Sequence, residues 1–208
     1  MPAIWPGQHC KPHRGHWLRR GALVAGLAAG LAAGLAAPAG AEQTRLFTAT
    51  GTVQAAFTPG DPVDRILIDL IGQAQRRIRV QIFSFTHKRI ARALIDAQLR
   101  GVDVQVIADD QQDRHQQGSV LAELARNGVQ VRLDRGGTSA HNKVLIIDPG
   151  TAQPVLVTGS YNFTWSAQRR NAENILVLRG NPALTEAFME NWERLRVHTV
   201  SWRPRPGR

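Results

Sequence analysis

Short runs of β-branched and leucine residues alternate along this chain with segments whose apolar residues recur at helical spacing. Residues 78–85 alternate in the manner of a strand, with Ile78, Val80 and Ile82 on one side. In residues 88–99 the apolar positions recur every three or four residues, which predicts a helix packed on a sheet. This alternation is typical of α/β folds, so we predict a layered sheet with helices on both faces.

The remaining elements are predicted from the same periodicities and from capping residues. Asp61 before Pro62, and Asn181 before Pro182, are typical of helix starts in which the polar residue is the N-cap and proline is the first helical residue. Further helices are predicted over residues 119–127 and 163–170, and further strands over residues 50–57, 102–108, 129–133, 143–148 and 175–178. No internal repeat is visible, so one domain is expected.

The first 41 residues are predicted to be a signal peptide rather than part of the fold. Arg19 and Arg20 precede the uncharged run 21–37, and residues 39–41 are the small residues that a signal peptidase requires. We expect cleavage after Ala41, a periplasmic or secreted location and no stable membrane anchor afterwards. The run is shorter than the roughly 20 apolar residues of a spanning helix, so an uncleaved anchor is the less favoured alternative.

Removal of this segment changes the composition of the expected mature chain. It contains four of the 26 basic residues and none of the 16 acidic ones, which leaves 22 bases against 16 acids and a net charge of +6. It also contains Cys10, the one cysteine of the sequence, so the mature chain can form no disulfide and no thiolate metal site. We expect residues 42–200 to form the domain and residues 201–208 a basic, proline-rich tail.

A composite motif between positions 141 and 173 carries the chemistry. It reads His-x-Lys, four residues, Asp148, and later Gly-Ser-x-Asn. If residues 143–148 form a strand, His141 and Lys143 point to the same side. The lysine could neutralise the charge of a phosphodiester. The histidine, with an unperturbed pKa near about 6.5, could act as nucleophile or acid. The motif therefore predicts attack on phosphorus.

The residues after the predicted hairpin add to this set. Ser160 and Asn162 are hydrogen-bond donors, and Glu173 could orient and charge-stabilise the His141 ring, as a third group commonly does for a base. Each of these residues, taken alone, is more often a capping or solvated surface residue. Chance agreement at all positions of the composite pattern is improbable, so together the residues predict an active site.

These residues resemble the motif of the phospholipase D superfamily, and the chain is similar to its small bacterial periplasmic endonucleases, which have one copy of the motif. The resemblance covers residues 47–196, so residues 42–200 are expected to be a phospholipase D-like catalytic domain with a mixed β-sheet. It implies a phosphodiesterase that needs neither metal nor cofactor, in which His141 attacks phosphorus and forms a phosphohistidine.

The resemblance also implies a role for each residue of the motif. The residues that would bind the phosphate are Lys143, Ser160 and Asn162. Glu173 would position His141, and Asp148 and Gly159 would hold the local structure. The stretch 149–158 is longer than the family commonly has at this point, so we expect a longer hairpin with unchanged catalysis.

No second His-x-Lys pair occurs in the sequence. The mechanism that the resemblance implies uses two histidines, of which the second protonates the leaving oxygen, so the second histidine must come from another chain. We therefore predict a two-fold homodimer. Its catalytic loops are expected to gather at one edge of the sheet, against the partner subunit.

Three segments outside the motif leave alternatives open. Residues 86–88 could line a substrate groove, although a helix start on a solvated face is slightly favoured. Arg132 and Arg135, which precede a Gly-Gly pair, could grip a phosphate backbone or belong to a solvated turn. Trp165 could stack on a base, but an aromatic residue in a helix is more often part of the packing.

An acidic cluster raises the alternative of a metal-dependent nuclease. Its members are Asp109, Asp110, Asp113 and His115. Their spacing matches no metal-ligand signature, and aspartates at strand ends often cap loops. We therefore predict that this protein has no metal site.

The favoured function is a nonspecific endonuclease that cleaves DNA, with RNA left open, because the mature chain is small, basic and without an apolar lipid-docking segment. Phospholipase D activity or phosphatidyl transfer is the alternative, since it uses the same chemical step and anionic membranes also attract basic proteins. A nucleic-acid-binding module without activity is a third interpretation, against which the complete set of His141, Lys143 and Asn162 argues.

Overall fold

An eight-stranded sheet with the strand order β1-β7-β6-β5-β2-β3-β4-β8 forms the centre of the protein in a computed structural model, which describes residues 44–136 and 140–204. The strands are β1 (Thr52–Thr58), β2 (Arg77–Ile82), β3 (Asp103–Asp109), β4 (Gln130–Asp134), β5 (Lys143–Ile147), β6 (Val155–Gly159), β7 (Glu173–Arg179) and β8 (Thr199–Ser201). The helices are α1 (Val63–Gln73), α2 (Lys88–Leu99), α3 (Asp110–His115), α4 (Leu121–Arg126), α5 (Trp165–Arg169) and α6 (Pro182–Arg196).

The sheet is mixed, as predicted. Strands β2, β3 and β4 are parallel, because α2 returns the chain from β2 to β3, and α3 and α4 return it from β3 to β4. Strands β5, β6, β7 and β1 pair antiparallel with one another, and β5 also pairs antiparallel with β2. The predicted α/β fold with a layered sheet is therefore confirmed.

Helices cover both faces of the sheet, and β5 shows how the sequence supplies both cores. Leu145 faces the apolar core under α1, α2 and α4, whereas Val144 and Ile146 face a second core under α6. Each such side chain contributes about 1.5–3 kcal/mol on burial. Trp192 anchors α6, since its Nε1 donates to the carbonyl oxygen of Val80 over 3.0 Å.

Most predicted elements occur within a few residues of their expected bounds. The helix predicted over residues 88–99 is confirmed as α2, and Asn181 caps α6 by accepting from the backbone N–H of Leu184 over 3.1 Å. The N-cap predicted at Asp61 is wrong. The Asp61 carboxylate accepts from the backbone N–H of Phe57 instead, and α1 begins at Val63.

Two predicted elements are shorter because the chain leaves them early. The strand expected over residues 78–85 ends at Ile82, since the following residues turn away and Phe85 makes only an isolated bridge to Phe163. The helix expected over residues 163–170 is the single turn α5, with the Thr164 hydroxyl as its cap.

Several predictions fall outside the described residues. The predicted signal peptide 1–41, Gly137 and the last four residues of the predicted tail belong to this group. Among residues 44–136 and 140–204, no helix is both long enough and apolar enough to cross a membrane.

Candidate active site

The residues of the composite motif lie together at one edge of the sheet. His141 and Lys143 stand at the start of β5, Ser160 and Asn162 follow the end of β6, and Glu173 begins β7. These three strands are antiparallel neighbours, so the start of β5, the end of β6 and the start of β7 meet at the same edge. The strand pattern therefore brings together residues that are up to 32 positions apart in the sequence.

His141 and Lys143 face one point, as strand alternation predicts. The Lys143 ammonium nitrogen lies 3.1 Å from Nδ1 of His141 and donates to the His141 carbonyl oxygen over 2.6 Å. Phe83, which follows β2, flanks both: its ring centroid is 4.6 Å from that of His141 and 5.0 Å from the ammonium nitrogen. His141 is exposed while Lys143 is 8% exposed. The pair thus presents an accessible imidazole above a buried cation.

Burial lowers the pKa of Lys143 below its ordinary value of 10.5, and the negative charge of Glu173 partly opposes this effect. The ammonium group is therefore less stable in the empty site than on an open surface. An anionic ligand such as a phosphodiester would favour the charged form again. A lysine in this environment is suited to stabilise negative charge that arrives with a substrate.

Glu173 approaches this pair from β7. One of its carboxylate oxygens accepts from the side-chain amide of Asn171 over 2.9 Å. In the part of the chain that the structure describes, no hydrogen bond joins Glu173 to His141, and its predicted role in positioning the imidazole stays a prediction. Its electrostatic effect on Lys143 shows that the carboxylate contributes to the field of the site.

The turn after β6 places its donors by close backbone packing. Gly159 has φ +157°, and a Cβ there would lie 2.2 Å from the carbonyl oxygen of Asn174, so only glycine fits. Ser160, the next residue, both donates to and accepts from the backbone of Asn174. The Ser160 N–H donates to the Asn174 carbonyl over 3.1 Å, and the Ser160 hydroxyl oxygen accepts from the Asn174 N–H over 3.0 Å. Glycine at position 159 therefore allows β6 and the start of β7 to approach closely at this turn.

Asn162 is oriented by a residue that the sequence did not single out. Its side-chain oxygen accepts from the backbone N–H of Ser84 over 3.1 Å, which leaves the Nδ2 donors on the other side of the amide. Within the described ranges Nδ2 has no hydrogen-bond acceptor. This free amide group can bind an oxyanion. Phe83 and Ser84 carry no signal of their own, and only the pairing of β2 with β5 reveals their place.

A buried polar network supports the same turn from below. The Gln168 side chain donates to the Asp61 carbonyl over 2.9 Å and accepts from the Asp64 N–H over 2.9 Å. The Tyr161 hydroxyl also donates to Gln168 over 3.2 Å, and burial raises the pKa of this phenol. Because these bonds join α5, the start of α1 and the Asn162 turn, they hold the turn rigid.

Asp148 lies at the opposite end of β5 and does not reach the site. Its φ is +50°, and its two carboxylate oxygens accept from the backbone N–H groups of Gln75, Arg76 and Arg77 over 2.8–2.9 Å. The longer hairpin that the sequence predicted also lies at this end, since residues 148–154 connect β5 to β6. Its extra length therefore lies away from the edge that holds His141 and Lys143.

The acidic cluster is used for capping and ion pairing. Asp109 accepts from the Gln112 N–H at the start of α3 and from the Ala140 N–H just before His141. Asp110 forms ion pairs with Arg114 and Arg135. Among the residues with described positions, no group of three or more potential ligands is arranged to hold a metal ion. Asp109 thus caps α3, as the sequence indicated, and also holds the residue before His141, which the sequence did not indicate.

The structure gives different answers for the three segments outside the motif. The Arg132 guanidinium bonds to the hydroxyl and carbonyl of Thr199 on β8, and Arg135 pairs with Asp110, so both are engaged within the protein. Trp165 is 55% exposed, so the interpretation that it belongs to the packing is wrong. Residues 86–88 contribute both to the start of α2 and to a cleft shared with Trp165.

Comparison with known proteins assigns the family. Residues 67–196 match the family described as cardiolipin synthase, PLD-like domain. A phospholipase D of Rickettsia bellii is 37% identical over 140 residues, which cover 67% of each chain. A mitochondrial cardiolipin hydrolase of Xenopus laevis is 37% identical over 131 residues, or 63% of this chain and 59% of that relative.

Solved structures agree with the sequence matches. Nuc from Salmonella typhimurium, described as a phospholipase D family member, has a TM-score of 0.67 and 31% identity, with 74% of this chain and 99% of Nuc covered. NucT from Helicobacter pylori has the same fold, with a TM-score of 0.64 and 23% identity over 73% of this chain and 99% of NucT. With a family match over more than half of its length and a fold shared with Nuc, this chain belongs to the phospholipase D superfamily of phosphodiesterases.

Proposed function

We propose that this protein is an exported endonuclease that cleaves DNA without a metal ion, through a phosphohistidine formed on His141. The observation that carries this proposal is the convergence of an exposed imidazole, the Lys143 ammonium 3.1 Å away and the free amide of Asn162 at one edge of the sheet. Export rests on the signal peptide predicted from residues 1–41. Cleavage of RNA by the same site remains open.

The proposed reaction has two displacements at phosphorus. A ring nitrogen of His141 forms a bond to phosphorus while the bond to the leaving oxygen breaks, and His141 of the partner subunit donates a proton to that oxygen. Water then attacks phosphorus while the partner's His141 takes its proton. The bond between His141 and phosphorus breaks, which frees His141 and leaves a phosphate monoester on the other product. Lys143 and Asn162 stabilise the equatorial oxygens in both steps, and the Ser160 hydroxyl assists them.

A shared site on a two-fold axis follows from the single His-x-Lys pair. An exposed apolar strip of Val53, Phe57 and Leu176 on β1 and β7 runs toward the same edge as Glu173 and supports an interface there. A subunit-mixing experiment tests the shared site. Wild-type and His141→Ala subunits are mixed in equal amounts and allowed to exchange, so that half of the wild-type chains lie in mixed dimers. If mixed dimers are inactive, the activity should fall to about half of that of the same amount of wild type alone. Undiminished activity would contradict the shared site.

Phospholipid hydrolysis is the second candidate, and the relatives favour it. Curated relatives at 36–37% identity are named phospholipase D and mitochondrial cardiolipin hydrolase. The net charge of +6 expected after signal cleavage supports nucleic acid instead. Both substrates use the same chemistry at His141, so the choice depends on the surface around the site.

A paired assay decides between the two. Plasmid DNA and phosphatidylcholine vesicles would each be incubated with the mature protein in excess EDTA, with His141→Ala as the inactive control. We expect nicking and degradation of the plasmid by the wild type alone. Choline release without DNA cleavage would assign the lipid activity, and a need for divalent cations or activity in His141→Ala would overturn the mechanism.

A further inference from the structure

A cleft of about 430 Å³ opens next to the proposed catalytic edge, between the start of α2 and the turn α5. The residues that line it include Asp64, Thr86, Lys88, Arg89, Trp165 and Arg169. None of these belongs to the His-x-Lys motif or to the Gly-Ser-x-Asn turn. The cleft therefore has no role in the chemical step as derived above.

The walls of the cleft are formed mainly by residues that closely follow Ser84 and Asn162 in the sequence. The backbone N–H groups of Thr86 and His87 both donate to the Phe163 carbonyl over 2.9 Å, one residue beyond Asn162. Trp165 is three residues from Asn162, so their Cα atoms are at most about 11 Å apart. A nucleic acid strand bound at Asn162 can thus enter the cleft within a few nucleotides.

Trp165 gives the cleft an aromatic surface. It is 55% exposed, although tryptophan usually buries most of its large apolar area. The Arg170 guanidinium carbon lies 4.9 Å from the ring centroid, and this cation–π contact holds the indole in place at the surface. An exposed and oriented indole is suited to receive another flat ring.

Two exposed cations line the same cleft as this indole. Lys88 and Arg169 are both exposed, and neither has a carboxylate within ion-pair distance among the described residues. Arg89, by contrast, pairs with Asp64 over 3.4 Å. The cleft therefore combines one stacking surface with two available positive charges. Single-stranded nucleic acid has the matching chemistry, since its bases offer π faces and its phosphates offer charge at regular spacing.

We infer that the cleft is a subsite for single-stranded nucleic acid, in which an unpaired base stacks on Trp165 while Lys88 and Arg169 contact flanking phosphates. The inference rests on the proposed nuclease function and adds to it a preference for unpaired strands. In a duplex the bases remain stacked on one another, so no base face is free to stack on Trp165. The floor of the cleft is preformed, because the Gln168 network joins α1 and α5 below it.

The test measures binding by the inactive mature protein, separately from cleavage. Labelled oligothymidylate, an abasic strand and a duplex of equal length would be titrated into His141→Ala and into the double variant that adds Trp165→Ala. We expect Trp165→Ala to weaken oligothymidylate binding about tenfold and to change binding of the other two ligands less than about twofold. Trp165→Phe should restore most of the affinity. Leu99→Ala, which shortens another exposed apolar side chain at the far end of α2, is the matched control.

Substitutions of Lys88 and Arg169 should affect binding differently from Trp165→Ala. Replacing Lys88 or Arg169 with glutamine should weaken binding of the thymidylate and abasic strands alike. Each substitution should also lower the slope of log affinity against log salt by about 0.7 for every phosphate that is no longer neutralised. An effect confined to the thymidylate strand would contradict their assignment to phosphates.

Other outcomes would overturn the subsite itself. The subsite would be contradicted if Trp165→Ala weakened the binding of all three nucleic acid ligands equally, or did not weaken the binding of any of them. A Trp165→Ala effect seen only on binding to phosphatidylglycerol vesicles would also contradict it and would assign the cleft to lipid. Hydrolysis of bis(p-nitrophenyl) phosphate by the wild type tests the proposed function independently. Its absence counts against that function, whereas its presence with unaltered Trp165→Ala binding counts against the subsite alone.

Discussion

The two ends of β5 contain two parts of one sequence motif and use their polar side chains in opposite ways. At the far end, both carboxylate oxygens of Asp148 accept from backbone N–H groups at the start of β2. At the catalytic end, His141 is exposed, Lys143 is a cation with a lowered pKa, and the Nδ2 group of Asn162 has no acceptor among the described residues. The carboxylate at the far end of β5 is thus paired within the protein, whereas the edge at the start of β5 keeps an exposed imidazole and an amide donor available to a ligand.

The difference separates stability from function. A polar group whose partners lie within the protein contributes to folding, and its loss leaves other groups without partners. A donor or cation held without a partner costs stability but remains available to a ligand. Substitutions at the two ends should therefore change different measurements, activity at the catalytic end and stability at the far end.

His141→Ala is expected to show the largest effect, confined to activity. Loss of the nucleophile should lower the rate of DNA cleavage by at least about 10⁴-fold. The melting temperature should change little, because the side chain is exposed. Plasmid cleavage and thermal unfolding measured on one preparation check both parts. A large loss of stability would show that the catalytic end also supports the fold.

Asn162→Asp should lower activity by about 10²–10³-fold. The carboxylate keeps an oxygen for the Ser84 N–H but replaces the free amide donor with a charge that repels the phosphodiester. Asn142→Asp makes the same chemical change beside His141 on an exposed side chain, and its rate should stay within about threefold of the wild type. Similar losses in both variants would mean that net charge, rather than the Asn162 donor, determines the rate.

Asp148→Ala should reverse the pattern by lowering stability while sparing the chemistry of the folded protein. Loss of an acceptor for three backbone N–H groups should cost about 2 kcal/mol in the free energy of unfolding. Asp148→Asn keeps one good acceptor oxygen and tolerates the positive φ, so about half of that cost is expected. Urea denaturation and cleavage rates per folded molecule provide the measurements. Normal stability with lost activity would place Asp148 in the site.

Lys143→Met should abolish cleavage and yet raise the free energy of unfolding by about 1 kcal/mol at neutral pH, because it removes a buried charge. Burial lowers the pKa of Lys143 in the folded protein relative to the unfolded chain, where the ordinary value is 10.5. The wild type therefore gains stability as pH rises from the folded pKa toward 10.5, and the advantage of the variant should shrink over that range. Lys88→Met, at an exposed lysine, should show no such pH dependence.

The grouping of His141 and Lys143 was predictable because it depends on residue types and a short spacing. The His-x-Lys pair needs only strand alternation to put both groups on one side, and the structure places them 3.1 Å apart. Helix α2 and the Asn181 cap of α6 depend on neighbours within four residues, and both were predicted correctly. The prediction for Asp61 was wrong although it too concerned near neighbours, because the Asp61 carboxylate accepts from the backbone N–H of Phe57, four residues earlier, and not from the start of α1.

What the sequence alone determined is the family, the alternating α/β pattern and the choice of His141, Lys143 and Asn162 as candidate site residues, since each depends on local order along the chain. Only the tertiary structure decided that Phe83 contacts His141, that Ser84 orients Asn162, that Asp148 supports β2 about seventy residues away, and that Trp165 is exposed. These features are contacts between segments distant in sequence. Periodicity gives the face on which a side chain lies but not the segment that the sheet will place opposite to it.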